Sequence, residues 1–110
     1  MAKLAELTIA GASGTKYTFG VYSFNSTWAE VAGVYLVTRR SLNEEGTGTH
    51  TFIYVGETEN LKERHLDHHK ADCFLRHGAN CLCFLSEKSE PKRKAIEADL
   101  LAAKSWSCNG

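Results

Sequence analysis

The chain has 110 residues, 43% of them hydrophobic and 24% charged, with nine glycines and a single proline. This excludes a disordered or low-complexity chain and describes one globular domain, able to bury a core without metal or disulfide staples. Thirteen basic side chains balance thirteen acidic ones, so the broad positive field of a non-specific nucleic-acid coating protein is absent, and any such binding must come from a local patch.

Residues 1–6 contain no uninterrupted apolar stretch of the kind a secretory signal needs, and the longest hydrophobic run, Cys81 to Leu85, is far too short to span a bilayer. These features lead to the expectation of a cytoplasmic protein with no membrane partner, whose cysteines Cys73, Cys81, Cys83 and Cys108 are reduced thiols.

The elements follow in chain order. Leu4 to Ile9 and Tyr17 to Phe24, separated by Gly11-Ala12-Ser13-Gly14, read as an opening hairpin that extends the sheet or makes a dimer contact. Gly33 to Thr38 and Thr51 to Val55 carry the β-branched and aromatic content of buried strands. The segment between them, Ser41 to Thr49, holds Asn43, Gly46 and Gly48 and reads as a long hairpin turn, which makes the pair antiparallel.

Gly56 is expected to end the second of these strands. Asn60, with Glu63 three residues on, marks a helix start, and that helix is expected to run through His69 or slightly further. Gly78-Ala79-Asn80 then breaks the pattern before a strand at Cys81 to Leu85. Ser89-Glu90-Pro91 opens a final helix with Ile96, Leu100 and Ala103 along its apolar stripe. The predicted order is four strands, a helix, a strand and a helix.

Gly33-Val34-Tyr35 and Tyr54-Val55-Gly56 lie on the two strands read as a hairpin, which brings two phenols near each other. Arg64 follows on the next helix, with His68 one turn later, and Glu97 and Asn109 lie on and behind the last helix. Taken singly, each has an ordinary reading: tyrosines packing across a hairpin, Arg64 paired with Asp67, Glu97 paired with Arg93 on a solvated helix face.

Taken together and in this order, the residues from Gly33 to Asn109 resemble a GIY-YIG nuclease domain. The two tripeptides fit the name-giving motifs, Arg64 the family's invariant arginine, His68 a histidine often found one turn later, Glu97 its metal-ligand glutamate and Asn109 its terminal asparagine. The resemblance implies an α+β fold with a small, mainly antiparallel central sheet flanked by helices. Residues 31–110 would be the nuclease domain, and residues 1–30 a hairpin extension of it.

The activity it implies is metal-dependent endonuclease cleavage of phosphodiester bonds, in DNA or alternatively RNA, with a homodimer or a partner protein supplying specificity. Glu97 would hold Mg²⁺ or Mn²⁺, a hard cation that needs only one protein carboxylate beside water and phosphate oxygens. Arg64 would grip the scissile phosphate, with Gly56 and Lys62 also on the substrate side. Tyr35 would orient or deprotonate the attacking water; since a free phenol has a pKa of about 10, either something lowers it or His68 takes the proton. Tyr54 would bond the phosphate or the water network, and Asn109 would tie the tail to the site.

Lys62, Lys70, Arg76, Lys92, Arg93 and Lys94 are candidates for a phosphate-tracking surface, with a solvated charged face as the ordinary alternative. Cys73, His77, Cys81 and Cys83 offer four soft ligands, but Cys81 and Cys83, two apart in a strand, share one face and read as core residues. The rivals to an enzyme are a catalytically idle nucleic-acid or protein binding module of the same fold, and a zinc-stabilised interaction domain.

Overall fold

Alternation decides the layers. In a computed structural model, which describes residues 3–66 and 69–109, Val34 and Leu36 point into one core while Tyr35 and Val37 point into another. The strand carrying them therefore lies inside a sheet covered on both faces. The elements are β1 (Ala5–Ala10), β2 (Lys16–Ser23), β3 (Gly33–Leu42), β4 (Gly48–Thr58), α1 (Leu61–Leu66), α2 (Ala71–Arg76), β5 (Cys81–Ser86) and α3 (Glu90–Ala103). The sheet order is β1-β2-β5-β3-β4, and every pairing is antiparallel. The expected α+β class with a mainly antiparallel sheet is what forms, and the opening hairpin extends that sheet through β2 against β5.

One face buries Phe19, Val21, Leu36, Val55 and Cys83 beneath Leu100 of α3 and Trp106 of the tail. The other buries Tyr35, Val37, Ile53 and Leu82 beneath Leu61 of α1 and Phe74 of α2. Cys81 and Cys83 are free thiols in the first core, as their spacing predicts. A register shift at Val37/Thr38 leaves Ile53 without a partner on β3, so Ile53 and Tyr54 both serve the second core although they are adjacent in sequence.

The ends of the elements have local causes. Ser89 caps α3 by accepting a hydrogen bond from the Lys92 amide at 3.4 Å, with Pro91 in the first turn. Asn60 accepts from the Glu63 amide at 3.2 Å at the start of α1. Asn43 accepts from the Glu45 and Thr47 amides and Gly46 takes φ +82°, which tightens the β3–β4 connection to residues 43–47. Asp99 of α3 accepts from the Ser13 amide and hydroxyl and from the Tyr17 phenol, which latches the β1–β2 turn onto the helix.

Several expectations need correction. β4 does not end at Gly56 but continues to Thr58, and β3 continues to Leu42. α1 covers only Leu61–Leu66, and a separate helix, α2, occupies Ala71–Arg76; this short helix has Phe74 as its one buried residue, too few apolar positions to show a period. The four cysteines are not all reduced, because Cys73 and Cys108 are disulfide-bonded across 35 residues of sequence. Among the described residues, no helix is long and apolar enough to cross a membrane.

Candidate active site

The β3–β4 register sets the two phenols. Tyr35 lies opposite Gly56 and Val37 opposite Tyr54, so both tyrosines stand on one face as diagonal neighbours, with ring centroids 6.0 Å apart. Gly56 is needed for this. A Cβ there would lie 2.6 Å from Cζ and Oη of Tyr35, so the phenol lies across β4 only because that position has no side chain.

Two further groups approach from helices on opposite sides. Arg64 comes from the last turn of α1 and is exposed. Glu97 comes from α3, half-buried, and accepts a hydrogen bond from the Glu57 backbone. Tyr35, Tyr54, Arg64 and Glu97 are near enough to act on one another electrostatically, so four residues drawn from four elements share one end of the sheet.

Burial dominates the proton affinities. It pushes the Tyr35 phenol far above its ordinary value, the neighbouring Tyr54 adds to this, and the opposing pull of Arg64 is too weak to reverse it. Burial likewise raises Tyr54, against a lowering hydrogen bond from Tyr35. It raises Glu97 too, with the Glu57 carboxylate adding to it and Arg64 and Lys94 opposing. Within this protein environment Tyr35 is therefore a donor that keeps its proton.

Asn109 grips the outer edge of β4. Its Oδ1 accepts from the Val55 amide at 2.9 Å and its Nδ2 donates to the Val55 carbonyl at 2.9 Å. The preceding amide, of Cys108, donates to the Ile53 carbonyl at 2.8 Å. The tail thus occupies the edge beside Tyr54 with strand-like bonds. This places Asn109 on Val55, next to Tyr54, through bonds to the backbone.

An open groove of about 420 Å³ adjoins the cluster at Arg64, the one residue of the four that lines it, and is walled by Glu57, Glu63 and Arg64 on one side and Glu90, Arg93 and Lys94 on the other. Arg93 is not part of a solvated basic face. It is 3% exposed, and its guanidinium donates to Glu57 Oε2 at 2.8 Å and to the Lys88 carbonyl at 2.8 Å, which ties α3 to β4. It does not pair with Glu97, its i+4 neighbour. Lys62 is exposed on α1 and does not line the groove.

His68, and Asp67 as a partner for Arg64, lie outside the described residues. The four soft ligands Cys73, His77, Cys81 and Cys83 are not brought together, since Cys81 and Cys83 sit in the opposite core from Cys73. What the sequence pattern does not single out is Glu57, which stands beside Glu97 and holds Arg93; its only signal is its position directly after the Tyr54-Val55-Gly56 tripeptide.

Repulsion from the Glu57 carboxylate contributes to the raised proton affinity of Glu97; Glu57 is held by Arg93, which leaves Glu97 as the carboxylate able to offer a hard oxygen donor. That donor chemistry fits a small divalent cation. Compared with protein-family models, with curated proteins and with solved structures, the chain matches none.

Proposed function

We propose that this protein is a metal-dependent endonuclease of the GIY-YIG type that hydrolyses phosphodiester bonds in DNA. The observation that carries this reading is the meeting of Tyr35, Tyr54, Arg64 and Glu97 at one end of the sheet, beside an open groove. Ordinary hairpin packing accounts for the two tyrosines, but it gives no reason for an exposed guanidinium and a half-buried carboxylate to converge on them from separate helices.

Each residue has a task that its surroundings suit. Arg64, always charged and planar, binds the scissile phosphate and stabilises the charge it gains. Tyr35 keeps its proton and donates it in a hydrogen bond to Tyr54, and the paired phenols order the attacking water and bond the phosphate. His68 is the group this reading assigns to accept the proton of the water. Glu97 holds Mg²⁺ or Mn²⁺, which when bound stabilises the leaving 3′ oxygen.

Affinity for the substrate is expected to be weak and salt-sensitive. The chain carries no net charge, and in the groove Glu57 pairs with Arg93 and Glu90 with Lys94, which leaves Glu59 and Glu63 facing Arg64. Specificity then comes from a second copy, a partner protein or the shape of the nucleic acid. The same acidic balance favours a second reading, an idle module of this fold that holds a basic partner.

Incubation with supercoiled plasmid, branched and single-stranded DNA, and RNA, each with Mg²⁺, Mn²⁺ or EDTA, separates the two. A nuclease cuts at least one substrate with metal and none with EDTA; an idle module cuts none.

A further inference from the structure

The Cys73–Cys108 disulfide joins α2 to the C-terminal tail, and both ends of that link touch the core around Tyr54. The Cys108 amide bonds the Ile53 carbonyl, and Asn109 next to it spans Val55. Phe74, next to Cys73, packs edge-on against the Tyr54 ring with centroids 5.4 Å apart. A third group stands beside the two sulfurs. His77, the C-cap residue of α2, is exposed and lies one turn after Cys73 on the same side of the helix. The ligand atoms of Cys73, His77 and Cys108 all lie within 4.8 Å of one another.

Two sulfurs and an imidazole form the donor set of a soft or borderline divalent cation. In a tetrahedral zinc site, with bonds of about 2.0–2.3 Å, neighbouring ligand atoms lie roughly 3.3–3.8 Å apart, so once the disulfide is broken the sulfurs move apart and the imidazole moves closer, a change that side-chain rotation supplies. Three protein ligands with a fourth position left to water is an arrangement zinc adopts. Cys81 and Cys83 cannot supply that fourth ligand, because they are buried in the core on the other side of the sheet.

We infer that in the reduced chain Cys73, His77 and Cys108 form a zinc site that replaces the disulfide as the tie between α2 and the C-terminal tail. A dithiol reductant passes two electrons and two protons to the disulfide, becomes a cyclic disulfide itself and leaves two thiols. Binding of Zn²⁺ then releases both thiol protons and forms two zinc–sulfur bonds. The two ties exclude each other, since the same sulfurs make both. Soft sulfur ligands also set this site apart from the oxygen donors at Glu97, and it does not depend on the nuclease chemistry.

Cobalt(II) reports the site directly. The full chain, reduced with a dithiol and desalted without air, is titrated with Co²⁺ and then with Zn²⁺. The expected result is one equivalent bound with thiolate-to-cobalt charge-transfer absorption, displaced by Zn²⁺ and absent from the disulfide form. Zn²⁺ also raises the thermal midpoint of the reduced chain. Cys108→Ser abolishes the absorption. His77→Ala, at an exposed position outside both cores, weakens binding by no less than the roughly 10–100-fold that loss of an outer-shell partner costs.

Absence of the absorption in the reduced chain overturns the site. So does binding that leaves the midpoint unchanged, because the unfolded chain then holds the metal as tightly as the folded one, and so does unaltered affinity in His77→Ala.

Discussion

Tyr35 occupies the space that Gly56 leaves empty: a Cβ on residue 56 would lie 2.6 Å from its hydroxyl oxygen and from the ring carbon that bears it. Both residues sit at one register position of the β3–β4 pair, so the backbone of one strand sets the pose of the phenol on the other. Gly56→Ala must push Tyr35 off its rotamer or shift β4. The expected cost is about 1–3 kcal/mol of stability, read by chemical denaturation. Cleavage is expected to fall by more than this loss of folded protein explains. A variant with wild-type stability and wild-type cleavage would show that the close approach is unimportant.

Asn109 closes the edge of β4 with two side-chain bonds to Val55. Asn109→Ala leaves the Val55 amide and carbonyl without those partners, at a cost of about 1–3 kcal/mol. Thermal unfolding should show a midpoint several degrees lower. Hydrogen exchange should speed up at the Val55 amide first, and an unchanged rate there would contradict the assignment.

Arg93 is predicted to hold the fold together and to take no part in binding substrate. Arg93→Met leaves Glu57 beside Glu97 without its partner and is expected to cost up to about 3–5 kcal/mol, toward the lower end because 20% of the Glu57 side chain is exposed. Adding Glu57→Gln should recover part of that loss, since no charge is then left unpaired. Additive losses in the double variant, measured by denaturation, would argue against the pair.

Much of this arrangement is legible in the sequence and some of it is not, for physical reasons. β3 and β4 show because burial on both faces puts unbroken apolar runs at Val34 to Val37 and Phe52 to Val55, and α3 shows because Ser89 and Pro91 mark its start. α2 is silent, having one buried residue. Asp99 looks like a solvated helix carboxylate, yet its partners Ser13 and Tyr17 lie 86 and 82 residues away, and no local pattern records a contact that distant. Arg93 reads as one of a basic run until the fold turns its guanidinium inward. For the same reason the pairing of Cys73 with Cys108 is invisible. It depends on where the tail lands, and it departs from the reduced thiols expected at all four cysteines.

Acid should weaken the fold through His50. Burial, with the Arg40 guanidinium adding to it, holds the imidazole below its ordinary value, and Nδ1 shares a 2.8 Å hydrogen bond with the Thr38 hydroxyl. A folded pKa below the unfolded one means that the unfolded chain takes the proton first. This contribution is present above the unfolded value of about 6.5 and is lost as pH falls through the folded value. Denaturation at about pH 7, 6 and 5 should show a declining midpoint that flattens in His50→Gln. Equal slopes in both proteins would remove His50 from the account.

Arg64 and Glu97 are expected to serve one reaction. Single-turnover cleavage of the preferred substrate with Mn²⁺, comparing wild type with Arg64→Ala and Glu97→Gln, tests it most directly. The expected result is well-folded variants that each lose about 10²–10³-fold in rate or more, with the double variant no slower than the worse single one, because groups that act as a unit do not add. Cutting at the same rate in all four proteins would contradict it and assign the four-residue cluster to packing alone.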